Sequence, residues 1–344
     1  MQRSAATVSL GRYLQATVAL LSIPWLLSGC AGLTTRQDLR EQQRSEAQPP
    51  APPSRDQTRD QTRDQVIDQH TEWDQPFQPS PPTPVQMPKV GLILGPGSFK
   101  SFAHAGVLKE LHKARIPIDV ILGLEWGALV AGLYAQNGQI HEVEWKLYRM
   151  EQSDLPQRGG LFRRRADSLE SLRPFLSRQF QVNNASARIE NAKIHFACPS
   201  LSLNRGSLQW QSRGSFAEAM NKCLPFPPLF RPEGEWSAAS FALTEAAEYM
   251  RAQGVNLIIL VNVLSAGELL GTEALGEDPS AVILWQELRR AMSEAQKTGV
   301  VQEVIEVNTR AHRLQDFEQR KRLVSAGERA GQAAARRLAE KYGF

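Results

Sequence analysis

The sequence predicts an α/β fold, with a mostly parallel central sheet flanked by helices and a disordered tether in front of it. Three segments carry this prediction: VGLIL from Val90, DVILG from Asp119 and LIILVNV from Leu257 are apolar enough to be strands buried on both faces. Between the first two, SFAHAGVLKELHKARI places apolar residues at helical spacing. Alternating helices and continuously apolar strands are typical of a sheet covered by helices.

The remaining elements follow the same pattern. ALVAGLYAQNG after the second strand predicts a helix that ends at Asn137 and Gly138. VVQEVIEVN, beginning at Val300, predicts a further strand. A basic amphipathic helix from about residue 317 to 342 closes the chain.

The N-terminal segment is typical of a bacterial lipoprotein signal. Residues 16–27 form an apolar run behind two arginines, too short for a membrane span but as long as a signal-peptide core. The run ends in Leu-Ser-Gly-Cys, which resembles the lipobox, so we expect a mature chain anchored through acylated Cys30. Ala31 resembles the outer-membrane sorting pattern of enteric bacteria, which predicts the periplasmic face of that membrane. A plain secretory signal or an uncleaved anchor is the alternative.

A linker follows the cysteine. Residues 32–88 are rich in Gln, Arg, Asp and Pro and repeat the tripeptide RDQ, with few apolar residues between. Such a composition buries too little surface to offset ordering entropy, so we expect a disordered tether. The predicted boundaries are therefore 1–29 for the signal peptide, 30–88 for the lipidated cysteine and linker, and 89–344 for the folded domain.

The charge distribution and the spacing of cysteines and histidines indicate which ligands and cofactors to expect. The net charge is +4, with basic residues scattered among acids, so no nucleic-acid partner is predicted. The arginines at 163–165 form either a solvated loop or a contact with anionic lipid headgroups. Neither CxxC nor HExxH spacing occurs, so no metal or other cofactor is predicted. Cys198 and Cys223 either pair in an oxidising compartment or stay as buried thiols.

Four segments of the folded part resemble the patatin-like phospholipase family. LGPGSFKSFAHAGVLKEL is similar to the family's glycine-rich loop and first helix, and IPIDVILGLEWGALVAGLYA is similar to its nucleophile-elbow strand and helix. KIHFACPSLSLNRGSLQW and GSFAEAMNKCLPFPPLF resemble its middle strands and the helix after them. EGEWSAASFALTEAAEYMRAQGVNLIILVNV resembles the segment with its D-G-G or D-G-A motif. The resemblance implies the patatin-like fold from Lys89 onward.

The resemblance also implies that the family's catalytic dyad is missing. Patatin-like enzymes hydrolyse lipid acyl esters with a serine at a G-x-S-x-G elbow and an aspartate that activates it. Gly123 and Gly127 match the elbow glycines, but Glu125 stands at the nucleophile position. Ser237 stands at the base position, where a hydroxyl cannot act as a base at neutral pH. His104 matches a residue outside the dyad, and we expect it to have a packing or supporting role.

The loop that would hold an oxyanion is altered as well. Pro96 and Ser98 replace glycines beside a retained glycine, and proline has no N–H to donate. A lysine matches the family's basic residue in this loop. The remnant of the loop comprises Gly95, Pro96, Gly97, Ser98 and Lys100.

These departures predict a degenerate family member, with no confirmed catalytic residue. We expect the Glu125 carboxylate to bind the loop amides and so to occupy, as a plug, the site that an oxyanion would use. It would also lie near Lys100 if that side chain turns inward. The domain would then bind a lipid or fatty acyl ligand or an envelope protein, and an apolar acyl channel can persist without catalysis. The alternatives are a lipid acyl hydrolase that uses Ser98, Ser101 or Ser237, and glycosidase-like chemistry by Glu125 with a second carboxylate.

Overall fold

The structure is a computed structural model that describes residues 87–155, 168–183, 185–264, 267–269 and 279–344. The predicted signal peptide, Cys30, nearly all of the linker and the arginines at 163–165 lie outside these residues. The strands are β1 (Val90–Leu94), β2 (Val120–Gly123), β3 (Gln181–Val182), β4 (Ala185–Ser186), β5 (His195–Ser202), β6 (Ser207–Gln211), β7 (Trp236–Ala238), β8 (Leu257–Asn262) and β9 (Glu303–Glu306). The α-helices are α1 (Ala103–Lys113), α2 (Gly127–Asn137), α3 (Ile140–Tyr148), α4 (Arg173–Gln179), α5 (Phe216–Cys223), α6 (Leu243–Ala252), α7 (Pro279–Glu294) and α8 (Arg320–Tyr342).

A mostly parallel sheet forms the centre of the domain, which confirms the predicted fold class. Its order is β6-β5-β2-β1-β8-β9, with β7 also paired to β5. β1 pairs in parallel with β2 and β8, whereas β6 and β7 run antiparallel to β5. Every residue of β1, β2 and β8 is buried, because helices cover both faces of these strands. Burial on both faces explains why these three strands are continuously apolar in the sequence.

The helix ends lie close to their predicted positions. α2 ends at Asn137 because Gly138 has a φ of 66°, a left-handed conformation that suits glycine. The closing helix begins at Arg320 rather than at about 317, because Phe317–Gln319 forms a short 3-10 turn. No helix within the described ranges is long and apolar enough to cross a membrane.

The first and last α-helices of the described domain cross with their backbones in direct contact. A Cβ atom on Gly106 of α1 would lie 2.0 Å from the carbonyl oxygen of Val324, and one on Gly327 of α8 would lie 1.9 Å from that of Ala103. Only a residue without a Cβ allows this approach. The crossing therefore fixes α8 over α1, the helix that follows the glycine-rich loop.

Cys198 and Cys223 form a disulfide, which settles the choice that the sequence left open. Their Cα atoms are 6.3 Å apart, and the bond links β5 to α5 across a sequence separation of 25 residues. Both side chains are fully buried. The bond therefore ties a strand of the central sheet to the helix that follows β6.

We expect the double variant Cys198→Ala, Cys223→Ala to lose about 3 kcal/mol of unfolding free energy, because the bond restricts the unfolded chain. Urea unfolding of the oxidised protein and of the variant measures the difference. Reductant should lower the midpoint of the wild-type protein and leave that of the variant unchanged. A variant as stable as the oxidised wild-type protein would contradict this contribution.

Candidate functional site

The elbow between β2 and α2 retains the strained geometry of a nucleophile turn. Glu125 has a φ of 54°, in the left-handed region that a side chain rarely adopts. A Cβ on Gly123 would lie 2.3 Å from the backbone nitrogen of Ala128, and one on Gly127 would lie 2.3 Å from the carbonyl oxygen of Leu94. The two glycines are therefore required by close backbone approach, and the turn presents Glu125 where the resemblance places a serine.

The Glu125 carboxylate lies on the amides of the glycine-rich loop. Its Oε2 accepts hydrogen bonds from the N–H of Gly97 at 2.9 Å and from the N–H of Ser98 at 2.7 Å. The side chain is fully buried, and Oε1 has no hydrogen-bond partner among the described residues. This is the position that the plug hypothesis requires, since the two amides that remain beside Pro96 are both occupied.

Burial also changes the ionisation of Glu125. Desolvation raises the pKa of its carboxyl from 4.5 to about 7, and the N–H groups of Gly97, Trp126 and Ser98 oppose this rise. At neutral pH the carboxyl is therefore divided between its charged and neutral forms.

The Lys100 side chain turns toward Thr309 rather than toward Glu125. Its Nζ donates to the carbonyl oxygen of Thr309 at 3.4 Å, and the side chain is fully buried. Burial and the charge of Arg289 lower the pKa of Lys100 to about 8, against the opposing charge of Asp316. No hydrogen bond or ion pair in the described part of the chain joins Lys100 to Glu125, so the expected proximity of the two charges does not become a contact.

His104 is hydrogen-bonded to the backbone of the glycine-rich loop. Its Nε2–H donates to the carbonyl oxygen of Gly95 at 2.8 Å, and its ring is fully buried. Burial lowers the pKa of this imidazole to about 4, against the opposing hydrogen bond to Gly95, so the ring is neutral at pH 7. The position agrees with the supporting role that the sequence suggested.

Ser237 is hydrogen-bonded to the backbone rather than to Glu125. It lies in β7, opposite Leu201 of β5, and its Oγ–H donates to the carbonyl oxygen of Pro225 at 3.2 Å. Within the described ranges no hydrogen bond links the two dyad positions. The hydroxyl at the position where the resemblance places the family's base therefore donates to the backbone.

Aromatic rings enclose the elbow. The ring of Trp126 lies 4.8 Å from that of Phe99 and 5.6 Å from that of Phe230, measured between centroids. Phe99 also lies 5.6 Å from Phe317, and all four side chains are buried. These four rings therefore form one buried aromatic cluster at the elbow.

This cluster was not predicted from the sequence. Phe99, Phe230 and Phe317 come from distant parts of the chain, and no local pattern brings them together. The one available signal was Trp126, which stands where the family usually has a small residue. A large ring at that position needs space or partners, and the cluster supplies the partners.

Unpaired polar atoms concentrate at the loop and elbow. Four buried side-chain atoms there have no hydrogen-bond partner among the residues that the structure describes: Ser98 Oγ, Ser101 Oγ, Glu125 Oε1 and His104 Nδ1. Ser98 also has a φ of 47°, so its backbone is strained. Most buried polar atoms in proteins are hydrogen-bonded, and exceptions call for a local cause such as a functional role or an internal water.

Comparison with known proteins supports the resemblance over part of the chain. Residues 92–241 match the model of the patatin-like phospholipase family. Lysophospholipase nte1 of Emericella nidulans is 23% identical over 210 residues, which cover 58% of this chain and 13% of the relative. Its counterpart in Aspergillus fumigatus is 24% identical over 186 residues, which cover 51% of this chain and 12% of the relative. The chain thus corresponds to a small part of the curated relatives that it matches.

One further protein matches over a shorter segment, and one solved structure resembles the chain weakly. A patatin-like phospholipase domain-containing protein of Caenorhabditis elegans is 45% identical over 47 residues, which cover 14% of this chain and 4% of that protein. Among solved structures, VipD from Legionella pneumophila has a TM-score of 0.38 at 12% identity, over 73% of this chain and 67% of that chain. The family model and the curated relatives together show that residues 92–241 carry a patatin-like phospholipase domain.

Proposed function

We propose that this protein is a membrane-anchored bacterial lipoprotein whose patatin-like domain lacks acyl hydrolase activity and acts in lipid binding or envelope protein contacts. The observation that carries the proposal is the contact of the Glu125 carboxylate with the N–H groups of Gly97 and Ser98. An acyl hydrolase needs such donors free to stabilise the oxyanion of its transition state. Here an acidic side chain of the protein itself occupies them.

The chemistry of the elbow supports the same proposal. Attack of a carboxylate on an ester would give an anhydride, which is an unfavourable product. The hydroxyl of Ser237 donates to Pro225 and cannot accept a proton at neutral pH. Neither half of the family's dyad is therefore chemically replaced.

The proposed location depends on the lipobox-like segment and gains support from the disulfide. Disulfides such as Cys198–Cys223 persist mainly in oxidising compartments, of which the bacterial periplasm is one. Acyl chains on Cys30 would hold the protein at a membrane surface, each contributing about 0.8 kcal/mol per buried methylene. We place the domain at the periplasmic face of the outer membrane.

A second candidate function is hydrolysis by Ser98. The N–H of Ser98 binds Glu125 Oε2, and among the described residues neither Ser98 Oγ nor Glu125 Oε1 has a hydrogen-bond partner. With a pKa of about 7, Glu125 is suited to act as a general base at neutral pH. The backbone contact with Glu125 favours Ser98 over Ser101 and Ser237 as a displaced nucleophile. The aromatic cluster would have to open before a substrate could reach it.

An esterase assay separates the two candidates. Detergent-solubilised full-length protein would receive p-nitrophenyl butyrate and, because the fungal relatives are named lysophospholipases, a lysophospholipid. We expect turnover no greater than that of a Ser98→Ala variant. Wild-type turnover that falls more than about 10³-fold in Ser98→Ala but not in Ser101→Ala would establish the second candidate.

A gain-of-function variant tests whether the scaffold still aligns a dyad. We expect Glu125→Ser with Ser237→Asp to gain weak esterase activity over either single variant, because the elbow geometry is retained. The missing N–H of Pro96 should hold that activity about 10²-fold or more below that of an intact oxyanion loop. Mass spectrometry of co-purifying lipid then distinguishes a lipid-binding module from one that binds only protein.

A further inference from the structure

A second candidate site lies at the carboxyl end of β9, and none of the elbow residues lines it. The cavity there has a volume of about 520 Å3. Its polar lining comprises Glu306, Asn308, Arg310, His312 and Arg329, and three alanines line the rest. This volume is within the range of small-molecule sites.

Two arginines give the cavity its charge. Arg310 follows β9 and Arg329 lies on α8, and both side chains are exposed. Neither forms an ion pair with another residue of the described ranges, whereas Arg313 and Arg337 nearby in sequence do. Two unpaired guanidinium groups lining one cavity match the oxygens of a phosphoryl group, which each can bind through two N–H donors.

Asn308 and His312 are the other two polar residues that line the cavity. Asn308 Oδ1 accepts the backbone N–H of Arg310 at 3.1 Å, which fixes the backbone of Arg310, and within the described residues the Asn308 amide NH2 donates to no other group. The Nδ1 atom of His312 is buried and therefore does not face the cavity. The Asn308 amide adds two neutral N–H donors to those of the arginines.

The carboxylate of Glu306 determines which charges the ligand must carry. Its two oxygens accept hydrogen bonds from the Asn262 side-chain nitrogen at 3.1 and 3.0 Å, and no cation of the described residues pairs with it. A bare phosphate ion would be repelled by this charge. A ligand that carries a cation next to its phosphoryl group would satisfy the carboxylate and the arginines together.

We propose that the cavity binds a zwitterionic phosphoethanolamine group, with the phosphoryl oxygens on Arg310 and Arg329 and the ammonium on Glu306. The group can belong to a phosphatidylethanolamine headgroup or to a small soluble compound, and both present the same chemistry. The proposal does not depend on the role of Glu125.

Calorimetry on the full chain in a non-ionic detergent at low salt tests this site. The titrants are free phosphoethanolamine, inorganic phosphate, and mixed micelles that contain phosphatidylethanolamine or phosphatidylglycerol. We expect phosphoethanolamine to bind more tightly than phosphate, and its Kd to rise about 10-fold or more in Arg310→Gln and in Arg329→Gln. Glu306→Gln should weaken binding of phosphoethanolamine but not that of phosphate.

Lys321→Gln is the matched control, because Lys321 is an exposed basic residue on the same helix that does not line the cavity. Unchanged thermal unfolding of the variants would show that they fold. Binding of phosphatidylethanolamine micelles without binding of the free compound assigns the lipid headgroup, and the reverse assigns a soluble ligand. The proposal is overturned by absence of binding in every arm, by equal weakening in Lys321→Gln, or by phosphate binding as tight as that of phosphoethanolamine.

Discussion

Alanine in place of Gly127 is expected to lower the free energy of unfolding by more than about 4 kcal/mol, an exceptional loss for one methyl group. The added Cβ would lie 2.3 Å from the carbonyl oxygen of Leu94 and 2.7 Å from that of Gly95. Both contacts are with backbone at the end of β1, which is paired on both sides within the sheet. The elbow would therefore have to separate from β1, and the amides that bind Glu125 would shift with it.

Gly132→Ala in the same helix is the control. Its nearest neighbour would be the flexible side chain of Met220 at 3.1 Å, and alanine favours helix by about 1 kcal/mol over glycine. Denaturant unfolding should therefore leave Gly132→Ala near the wild-type midpoint and shift Gly127→Ala far below it. Similar midpoints for the two variants would contradict the packing described for the elbow.

The second large expected effect is the pH dependence that Glu125 gives to the free energy of unfolding. Folding raises the pKa of Glu125 from 4.5 to about 7, so between these values the folded protein holds a proton that the unfolded chain has released. Stability from this group is full below pH 4.5 and is lost as the pH rises through 7. A pKa difference of one unit corresponds to about 1.4 kcal/mol, so the loss across the window is about 3 kcal/mol. Glu125→Gln removes this dependence.

His104 acts in the opposite direction over much of the same range. Burial lowers the pKa of its imidazole from 6.5 to about 4, so its stabilising contribution is present above pH 6.5 and is lost as the pH falls toward 4. The two opposing slopes make the wild-type profile flatter than either group would alone. The informative quantity is therefore the difference between Glu125→Gln and the wild-type protein at each pH.

Urea unfolding between pH 4 and pH 8.5 measures that difference. We expect Glu125→Gln to gain stability relative to the wild-type protein as the pH rises through 7. Glu248→Gln, a change at an exposed carboxylate of α6, is the control for removing one surface charge. A constant difference between Glu125→Gln and the wild-type protein across this range would show that the buried carboxyl does not titrate as described.

The sequence was sufficient to predict the central strands of the sheet. β1, β2 and β8 are buried on both faces, and that burial requires the continuous apolar runs that identified them. β7 has three residues and pairs antiparallel with β5, so it is too short to produce a periodic signal. The pairing of Cys198 with Cys223 depends on the approach of β5 and α5, which cysteine spacing does not determine.

The site was predictable where it depends on local turns. The glycines around Glu125 are required by backbone contacts within a few residues or with the adjacent strand, so motif spacing located them. The direction of Lys100 depends instead on Thr309, which follows the last strand of the sheet. The rings around Trp126 likewise come from three separated segments. Such contacts arise from tertiary packing, and one sequence without an alignment does not reveal them.

The crossing of α1 and α8 has a consequence for the order in which the chain can fold during synthesis. The backbone of α1 leaves the ribosome before any later element of the sheet, but Gly327, which it contacts, is synthesised only after all nine described strands. β1 likewise lacks one of its two neighbouring strands until β8, with which it pairs in parallel, has been synthesised. A nascent chain that reaches only residue 241, the end of the family match, therefore has neither partner. We expect stable folding of this domain to begin only after α8 has been synthesised, since contacts between residues far apart in the sequence complete the structure.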